Sequence, residues 1–498
     1  NLTSNFWFIK TSYISWQVVD FPFVPVIAIQ SFWKERLGRV DSSCKILDYF
    51  NNFSNDWFSY IKIKIIGTGL NIFLNKNILI YGLGKSGLST FKFLKNKNNI
   101  FLYDDYVSKI KSSYINKNLI NYKNIFKIKF DYIILSPGID INKCKLSKFL
   151  KKNNNKIYSD LDVFYAFYKN DCITITGTNG KSTTCQLMYE VLLNQKFDVK
   201  LVGNIGNPIL SEKKIKKNTI FVVEASSYQL EYSKIFKSKY AAILNLSPDH
   251  IERHKTLKKY IKAKFKLLKN QSRGNWAFVK KDDLLIKKEL RLNRFPSKLI
   301  RVDTKKINKY VKDIKNEFFS SETNKENLSF VVEISKKLRL KNKIMIKTFQ
   351  KFNGLKYRQQ IIFKNKYLKI INDSKSTSFS SSIGVLKANH KIYWLLGGIP
   401  KKGDKFKLSK KYFNNIKAFI YGKSKKFFNK KLKGKIDYKN FKNLEDALKK
   451  IFNIIKKEKF INKTILFSPC AASFDSFKNF EERGFYFNKL INDLVNEK

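Results

Sequence analysis

The sequence predicts an α/β protein built on mainly parallel sheets. Short apolar runs alternate with amphipathic stretches of helical period along most of the chain. Two of these runs end in glycine loops, where parallel sheets place their ligands. The 498 residues correspond to about three domains at roughly 150 residues each. Hydrophobic residues make up 43% of the chain, which is enough for real cores and excludes wholesale disorder.

The first seventy or so residues differ from the rest, because they hold four of the six tryptophans and show no clear periodicity. Their most apolar run, residues 21–33, is shorter than the ~20 residues that a membrane span needs and contains two prolines. It also lacks the basic leader and cleavage site of a signal peptide. We assign this segment no function and expect neither export nor a membrane partner.

The first α/β unit begins near residue 75. A strand is predicted over residues 76–81, followed by the glycine turn 82–87 (GLGKSG), a helix and a second strand over 99–103 that ends in two aspartates. Residues 132–135 form another strand. The G-x-G-x-x-G turn with acids at the next strand end is typical of a Rossmann-like nucleotide-diphosphate site. An NAD dehydrogenase is the competing interpretation, but it would not need a second phosphate loop.

The central unit opens with a strand over residues 172–176, and a glycine loop, GTNGKST, joins it to a helix starting near Ser182. Glycines let backbone N–H groups close around phosphate oxygens, and the helix N-terminus adds its dipole. Lys181 would reach the β- and γ-phosphates, and Ser182 or Thr183 would offer a hydroxyl to Mg²⁺. The spacing is G-x-x-G-K-S, with two residues between the glycines in place of the usual four, so this is a variant phosphate loop. It predicts an ATPase-like centre.

Two further strands of this unit, residues 219–223 and 241–245, end in polar sequence. Glu224 suits Mg²⁺, which prefers oxygen ligands. His250 is one of only three histidines, and the sequence alone favours a solvated loop histidine over a ligand there. Residues 270–351 look looser and rich in lysine and asparagine.

The third unit starts near Gly354 and is again Rossmann-like. Its strands are predicted over residues 367–371, 392–396, 418–421 and 464–467. Three of them lead into sequences that place Lys, Ser or Thr where a small anion could be held: NDSKST (372–377), GGIPK (397–401) and SPCAASFD (468–475). Ordinary capped loops explain these sequences equally well.

The net charge is +60, from 99 Lys and Arg against 39 Asp and Glu. A nucleic-acid-binding surface gathers Lys and Arg on one stripe, whereas lysine here is spread through nearly every segment and arginine is scarce. The charge therefore indicates compositional drift, and we expect no nucleic-acid partner. Five widely spaced cysteines exclude a disulfide framework and predict a reducing cytoplasm.

Seven motifs, in one order along the chain, resemble those of the Mur ligases of peptidoglycan synthesis, most closely the D-glutamate-adding members. They are ITGTNGKST (175–183), GNIGNP (203–208), EASSYQLE (224–231), LNLSPDHIERH (244–254), GLKYRQQ (354–360), NDSKST (372–377) and SPCAASFDSFKNFEERG (468–484). The resemblance implies a uridine-nucleotide-binding domain (75–168), an ATP-binding domain (169–352) and an amino-acid-binding domain (353–498). Residues 1–74 match nothing in the family and form an unassigned extension.

The resemblance also implies roles for individual residues. ATP would be held by Gly177, Thr178, Asn179, Gly180, Lys181, Ser182, Thr183, Asn324, Asn327, Arg358 and Asp373. Mg²⁺ would be held by Ser182, Glu224, His250 and a carbamylated Lys264. The UDP-linked substrate would contact Lys85, Ser86, Asp104, Asp105, Asn204, Ser226 and Gln229. D-Glutamate would contact Lys375, Thr377, Lys401, Ser473 and Phe480, and Lys181, His250, Lys264 and Lys375 would be catalytic.

The implied reaction is an ATP-dependent amide ligation through an acyl phosphate, in a monomer whose substrates are UDP-N-acetylmuramoyl-L-alanine and D-glutamate. Tyr357 and Thr323 stand where the family commonly has histidine, and Ser378 replaces a usual asparagine. The first two departures weaken the adenine-side assignment. Two alternatives stay open: a Mur-type ligase for another amino acid, and a basic nucleic-acid-binding protein with a nucleotide fold.

Overall fold

The computed structural model of the chain describes residues 71–106, 113–401, 403–458 and 462–496. The unassigned N-terminal extension therefore lies outside the described residues except for its last four positions. Residues 73–498 form one compact unit. It contains three sheets, and each sheet draws all its strands from one of the three ranges expected for the domains.

The first sheet is parallel, in the order β2-β1-β3-β4. Its strands are β1 (Asn77–Tyr81), β2 (Asn99–Tyr103), β3 (Tyr132–Leu135) and β4 (Ile157–Tyr158). The helices are α1 (Lys85–Leu94), α2 (Tyr122–Ile125), α3 (Ser147–Lys152) and α4 (Asp160–Phe167). The glycine turn comes between β1 and α1, as predicted. A Cβ on Gly87 would lie 1.9 Å from the carbonyl oxygen of Gly82, so only glycine fits where α1 approaches the turn.

The central sheet is also parallel, in the order β10-β9-β8-β5-β7-β6. Its strands are β5 (Cys172–Thr176), β6 (Val199–Gly203), β7 (Ile220–Glu224), β8 (Tyr240–Ile243), β9 (Trp276–Lys280) and β10 (Lys298–Val302). Its helices are α5 (Lys181–Asn194), α6 (Ser227–Tyr232), α7 (Ile251–His254), α8 (Leu257–Lys269), α9 (Leu284–Leu292), α10 (Asn308–Ile314), α11 (Glu322–Lys337) and α12 (Asn342–Lys351). β5 is buried along its whole length, which is why it reads as a continuous apolar run.

The third sheet has the order β11-β12-β16-β13-β14-β15, parallel except for the β11–β12 pair. Its strands are β11 (Gln360–Lys364), β12 (Leu368–Asn372), β13 (Ile392–Gly397), β14 (Ile416–Tyr421), β15 (Asp437–Phe441) and β16 (Lys463–Phe467). Its helices are α13 (Phe379–Ala388), α14 (Lys425–Leu432), α15 (Leu444–Lys457) and α16 (Phe480–Asn496). Trp394 and Leu396 pack into the core on one face of this sheet, and Tyr393 and Leu395 into the core on the other.

The predicted α/β class with mainly parallel sheets is confirmed. The expectation of a looser stretch over residues 270–351 is wrong, because β9, β10 and α9 to α12 lie within it. Many lysines of this stretch, such as Lys305, Lys306 and Lys343, are exposed, while apolar side chains of α11 and α12 complete the core of the central sheet. Within the described residues, none of the helices is both long enough and apolar enough to cross a membrane.

Candidate active site

The phosphate loop lies where β5 ends, between β7 and β8, which pair with β5 on its two sides. The chain runs from β5 to β6 on one side of the sheet and from β8 to β9 on the other, and the crevice at such a reversal is where open α/β sheets bind ligands. Gly180 has φ 85°, and α5 begins directly after it. The first N–H groups of α5 have no partner within the helix, so they are available to an anion.

The Lys181 side chain folds over this loop. Its Nζ donates hydrogen bonds to the carbonyl oxygens of Gly177, at 3.0 Å, and Thr178, at 2.8 Å. Burial lowers the pKa of Lys181, and the nearby carboxylates of Glu224 and Asp249 act against that lowering. An anionic phosphate at the loop would favour the charged amine, as the predicted role requires.

Glu224 closes β7 and is 1% exposed. Its Oε1 accepts a hydrogen bond from Asn204 Nδ2 at 2.8 Å, while its Oε2 is buried without a hydrogen-bond partner. The Asn204 backbone N–H also donates to the carbonyl of Glu224. A buried carboxylate oxygen with no donor is a costly arrangement that a cation would relieve. This oxygen therefore fits the predicted Mg²⁺ site.

Lys264 on α8 is 2% exposed, and its Nζ donates to Gly177 O at 2.8 Å and lies 3.3 Å from Thr176 Oγ1. Burial lowers the pKa of Lys264 well below its usual range, and Lys181 adds to the effect. An ammonium cannot ligate a cation, so Lys264 fits the metal only as the predicted carbamate. A lysine held near neutrality is the form that can react with carbon dioxide.

His250 lies at the start of α7 with φ 53°. Its Nδ1 is 2.8 Å from the hydroxyl of Tyr228, and its Nε2 is 3.4 Å from Asp249 Oδ2. No group of three or more His, Cys, Asp and Glu side chains able to hold a metal occurs in the described part of the chain. This is consistent with a predicted set that contains a hydroxyl, Ser182, and a modified lysine.

Lys401, expected at D-glutamate, donates to Asp249 Oδ1 at 2.6 Å. Burial alone would raise the pKa of Asp249, but the ammonium of Lys401 and the ring of His250 hold it below its usual range. This ion pair joins the third sheet unit to the central one beside His250. No sequence pattern predicts this pair, because the partners lie 152 positions apart.

The adenine-side asparagines lie on α11. Asn324 Nδ2 donates to Phe318 O at 2.8 Å, and Asn327 is 1% exposed with its Oδ1 buried and unpaired. A Cβ on Gly180 would lie 2.1 Å from that Oδ1, so Asn327 packs directly on the phosphate loop. Asn327 therefore lies against the phosphate loop, and its contact with the nucleotide stays a prediction.

Asp373 follows β12 and is fully enclosed by the third unit. Its carboxylate accepts hydrogen bonds from the backbone N–H of Gln359, at 3.1 Å, and from Ser468 Oγ, at 2.9 Å. Burial raises the pKa of Asp373 to about 7, although Ser468 and the cation of Arg358 oppose this. Asp373 thus fixes the loop that carries Arg358.

Lys375 lies 3.9 Å from the ring centre of Phe480, and Arg358 lies 5.8 Å from the same ring. The structure therefore brings together two predicted D-glutamate residues and one predicted nucleotide residue. Ser473 is 3% exposed, and its carbonyl accepts a hydrogen bond from Phe477 N. Thr377 is partly buried in the loop that follows Lys375.

Arg483 is a residue that sequence reasoning missed. It is fully buried, and its Nη2 donates to the carbonyl oxygens of Ser374, at 2.7 Å, and Ala471, at 3.0 Å. It thereby ties the loop of Lys375 to the loop of Ser473. Arg483 lies within the last motif, which could have marked it as a candidate site residue, but only the fold shows which carbonyl oxygens it contacts.

Ser226 and Gln229, expected at the sugar-peptide, form a reciprocal cap at the start of α6. Gln229 N donates to Ser226 Oγ at 3.2 Å, and Ser226 N donates to Gln229 Oε1 at 3.1 Å. This pairing explains both residues by local structure. Their contact with a substrate stays a prediction.

The residues expected at uridine lie around the glycine turn of the first sheet. Asp104 Oδ2 accepts a hydrogen bond from Leu83 N at 2.7 Å, and Asp105 Oδ1 accepts one from the Tyr81 hydroxyl at 2.8 Å. Ser86 Oγ donates to Asp160, and Lys85 is exposed. Asp104 therefore stabilises the glycine turn through its hydrogen bond with Leu83.

Known proteins that resemble this chain identify its family. A family model of the Mur ligase middle domain matches residues 175–353. The UDP-N-acetylmuramoylalanine–D-glutamate ligase of Rickettsia bellii is 32% identical over 450 residues, which cover 85% of this chain and 99% of that protein. The chain belongs to the Mur ligase family. A second Mur ligase of the same name, from Buchnera aphidicola, is 35% identical over 447 residues, with 85% and 99% covered.

The Mur ligase fold is also found among solved structures. The MurF ligase of Thermotoga maritima, solved in complex with ADP, matches with a TM-score of 0.50 and 15% identity, covering 74% of this chain and 91% of that one. At that identity the match shows the fold alone. The family model and the curated relatives, and not this structural match, identify the chain as an ATP-dependent ligase of the Mur family, as its motifs predicted.

Proposed function

We propose that this Mur ligase joins D-glutamate to UDP-N-acetylmuramoyl-L-alanine through an acyl phosphate. The observation that carries the proposal is that Lys181, Arg358 and Lys375, from the central and third units, each interact electrostatically with the buried carboxylate of Glu224. Nearly every species in such a reaction is anionic, so a buried cluster of cations suits it. Relatives 30–35% identical carry the name of this activity.

The residues divide the reaction between them. The N–H groups at the start of α5 and Lys181 would hold the phosphates of ATP. Mg²⁺ would be held by Glu224, Ser182, His250 and carbamylated Lys264, and it would neutralise charge on the transferred phosphoryl group. Lys375 would pair with a carboxylate of D-glutamate and orient its amine toward the acyl phosphate.

The choice of amino acid is tested by phosphate release. The protein is incubated with ATP, Mg²⁺, UDP-N-acetylmuramoyl-L-alanine and a panel of amino acids one at a time. Turnover with D-glutamate alone supports the proposal. Turnover only with another amino acid would replace it by the same-family alternative, and tight, salt-sensitive DNA binding without turnover would favour the nucleic-acid alternative.

The phosphate-loop assignment predicts that Lys181→Ala lowers kcat by about 10³-fold or more, because the loop loses the cation that meets the developing charge. The measurement is phosphate release, with circular dichroism to show that the fold is retained. Lys217→Ala, an exposed lysine in the loop before β7, serves as the matched control and should leave turnover unchanged. Near-normal turnover of Lys181→Ala would remove the assignment.

A further inference from the structure

A polar network holds the phosphate loop from its protein side. Asn245, two residues beyond the end of β8, contacts Asn179 with both ends of its side-chain amide: its Oδ1 accepts from Asn179 N at 2.9 Å, and its Nδ2 donates to Asn179 O at 3.2 Å. The backbone carbonyl of Asn245 also accepts the N–H of Thr178 at 2.9 Å. Asn245 therefore pairs with the loop as a neighbouring strand would.

Glu326 on α11 sets the direction of that amide. Asn245 Nδ2 donates to Glu326 Oε1 at 2.6 Å. A carboxylate only accepts hydrogen bonds, so the nitrogen of the amide must face Glu326 and its oxygen must face Asn179 N. A rotated amide would place two acceptors together at Glu326 and two donors together at Asn179.

Lys280, the last residue of β9, forms an ion pair with the other oxygen of Glu326. The Glu326 side chain is only 11% exposed, so the ammonium compensates a carboxylate that has little contact with water. The pair fixes the carboxylate on the side away from Asn245. The order of contacts is therefore Lys280, Glu326, Asn245 and then the loop.

A second residue of α11 also contacts the phosphate loop. Asn327 follows Glu326 on α11, and its Oδ1 would lie 2.1 Å from a Cβ on Gly180. Consecutive residues of α11 thus reach two neighbouring positions of the phosphate loop, one directly and one through Asn245.

We propose that Glu326 is a positioning residue for the phosphate loop. Acting through Asn245, it fixes the peptide groups on both sides of Asn179. The N–H groups of Thr178 and Asn179 then donate to Asn245 and are not available to phosphate. The N–H groups of residues 180–183 are then left to receive phosphate. The inference rests on the proposed binding of ATP by this loop, and it limits the part of Asn179 to shaping the loop.

The test measures the affinity of the full-length chain for a fluorescent ADP analogue. Asn245→Asp cannot donate to Asn179 O and sets a carboxylate against Glu326, so ADP affinity should fall by about 30-fold. When Glu326→Gln is added to Asn245→Asp, the new glutamine can donate to the new carboxylate. The ADP affinity of this double variant should be about tenfold higher than that of Asn245→Asp alone. Thermal unfolding of each variant is measured alongside, because a purely structural role would move stability and not ADP affinity.

The matched control is Glu333→Gln, since Glu333 lies on the same helix and pairs with Lys336 at 2.6 Å without touching the loop. It should leave ADP affinity unchanged. Equal ADP affinities for Asn245→Asp with and without Glu326→Gln would overturn the proposal. ADP binding by the unaltered chain without D-glutamate turnover would contradict the proposed substrate alone, so the two failures can be told apart.

Discussion

Three lysines of the active site, Lys181, Lys264 and Lys375, are each largely enclosed by protein, and burial is the largest cause that lowers their pKa. A cation that has lost water interacts more strongly with an incoming anion than a solvated one. The lysines that we assign to the chemistry are therefore distinguished by burial and not by the charge excess of the chain.

Lys375 gives a pH prediction at this scale. Burial, with the repulsion of Arg358, lowers its pKa to about 8, so the residue loses its proton as the pH rises through that value. Inhibition by glutarate, which has the carboxylates of glutamate but no amine, should weaken by about tenfold between pH 7 and pH 9. Lys375→Arg should flatten this profile because arginine stays charged. Parallel profiles for the two proteins would contradict the assignment.

Ser226 and Gln229 show the limit of residue-level reasoning from sequence. The family resemblance assigned them to a substrate contact, and the structure shows that they cap α6. Lys264 shows the opposite case. In the sequence Lys264 cannot be distinguished from the many surface lysines. In the structure it is 2% exposed and contacts the phosphate loop.

At the scale of elements, the glycine turn of the first sheet depends on close packing of backbone. Gly87→Ala would place a Cβ 1.9 Å from the carbonyl oxygen of Gly82, which cannot move without displacing β1. We expect a loss of stability of about 3 kcal/mol, at the upper end for overpacking. Denaturant unfolding measures the stability, and hydrogen exchange of β1 and α1 shows whether the loss is local to the turn.

Gly84→Ala is the control for that variant. A Cβ there would meet no atom within 4 Å, and its φ is −71°, which alanine adopts readily. Its stability should change by about 0.5 kcal/mol or less. A loss for Gly84→Ala as large as that for Gly87→Ala would show that glycine flexibility, and not close approach, matters in the turn.

Three strands that are buried on both faces were predictable from the sequence. β5, β7 and β13 are continuous apolar runs, and the expected positions agree with the structure to within a residue or two. β15 was missed because it is a sheet edge with mostly exposed positions, and its sequence DYKNF carries no apolar run. β9 and β10 were also missed, because both lie in the lysine- and asparagine-rich stretch that was expected to be looser.

At the scale of the whole molecule, Asp162 on α4 joins the first unit to the central one. It is fully buried, and its Oδ1 accepts hydrogen bonds from the backbone N–H groups of Lys234, Ile235 and Phe236 at 2.8–2.9 Å. Its Oδ2 accepts from Ser159 N and Oγ, both at 2.9 Å. One carboxylate thus fixes the start of α4 and the segment after α6.

Asp162→Ala should lower the free energy of unfolding by about 3–5 kcal/mol, because it leaves several buried N–H groups without an acceptor. The matched control is Asp171→Ala. Asp171 pairs with Lys239 at 2.6 Å on the surface, and its loss should cost about 1 kcal/mol or less. Urea unfolding measures both, and equal losses would show that the buried contacts of Asp162 add nothing.

The sequence by itself determined the α/β class, the phosphate loop, the family and the order of the motifs, because these depend on local spacing and on apolar runs. The tertiary structure alone decided which distant residues meet. The pairing of Lys401 with Asp249, the network from Lys280 to Asn245 and the reach of Arg483 join positions far apart in the chain. Such contacts depend on how the units pack, and many sequence patterns are compatible with each, so no local pattern predicts them.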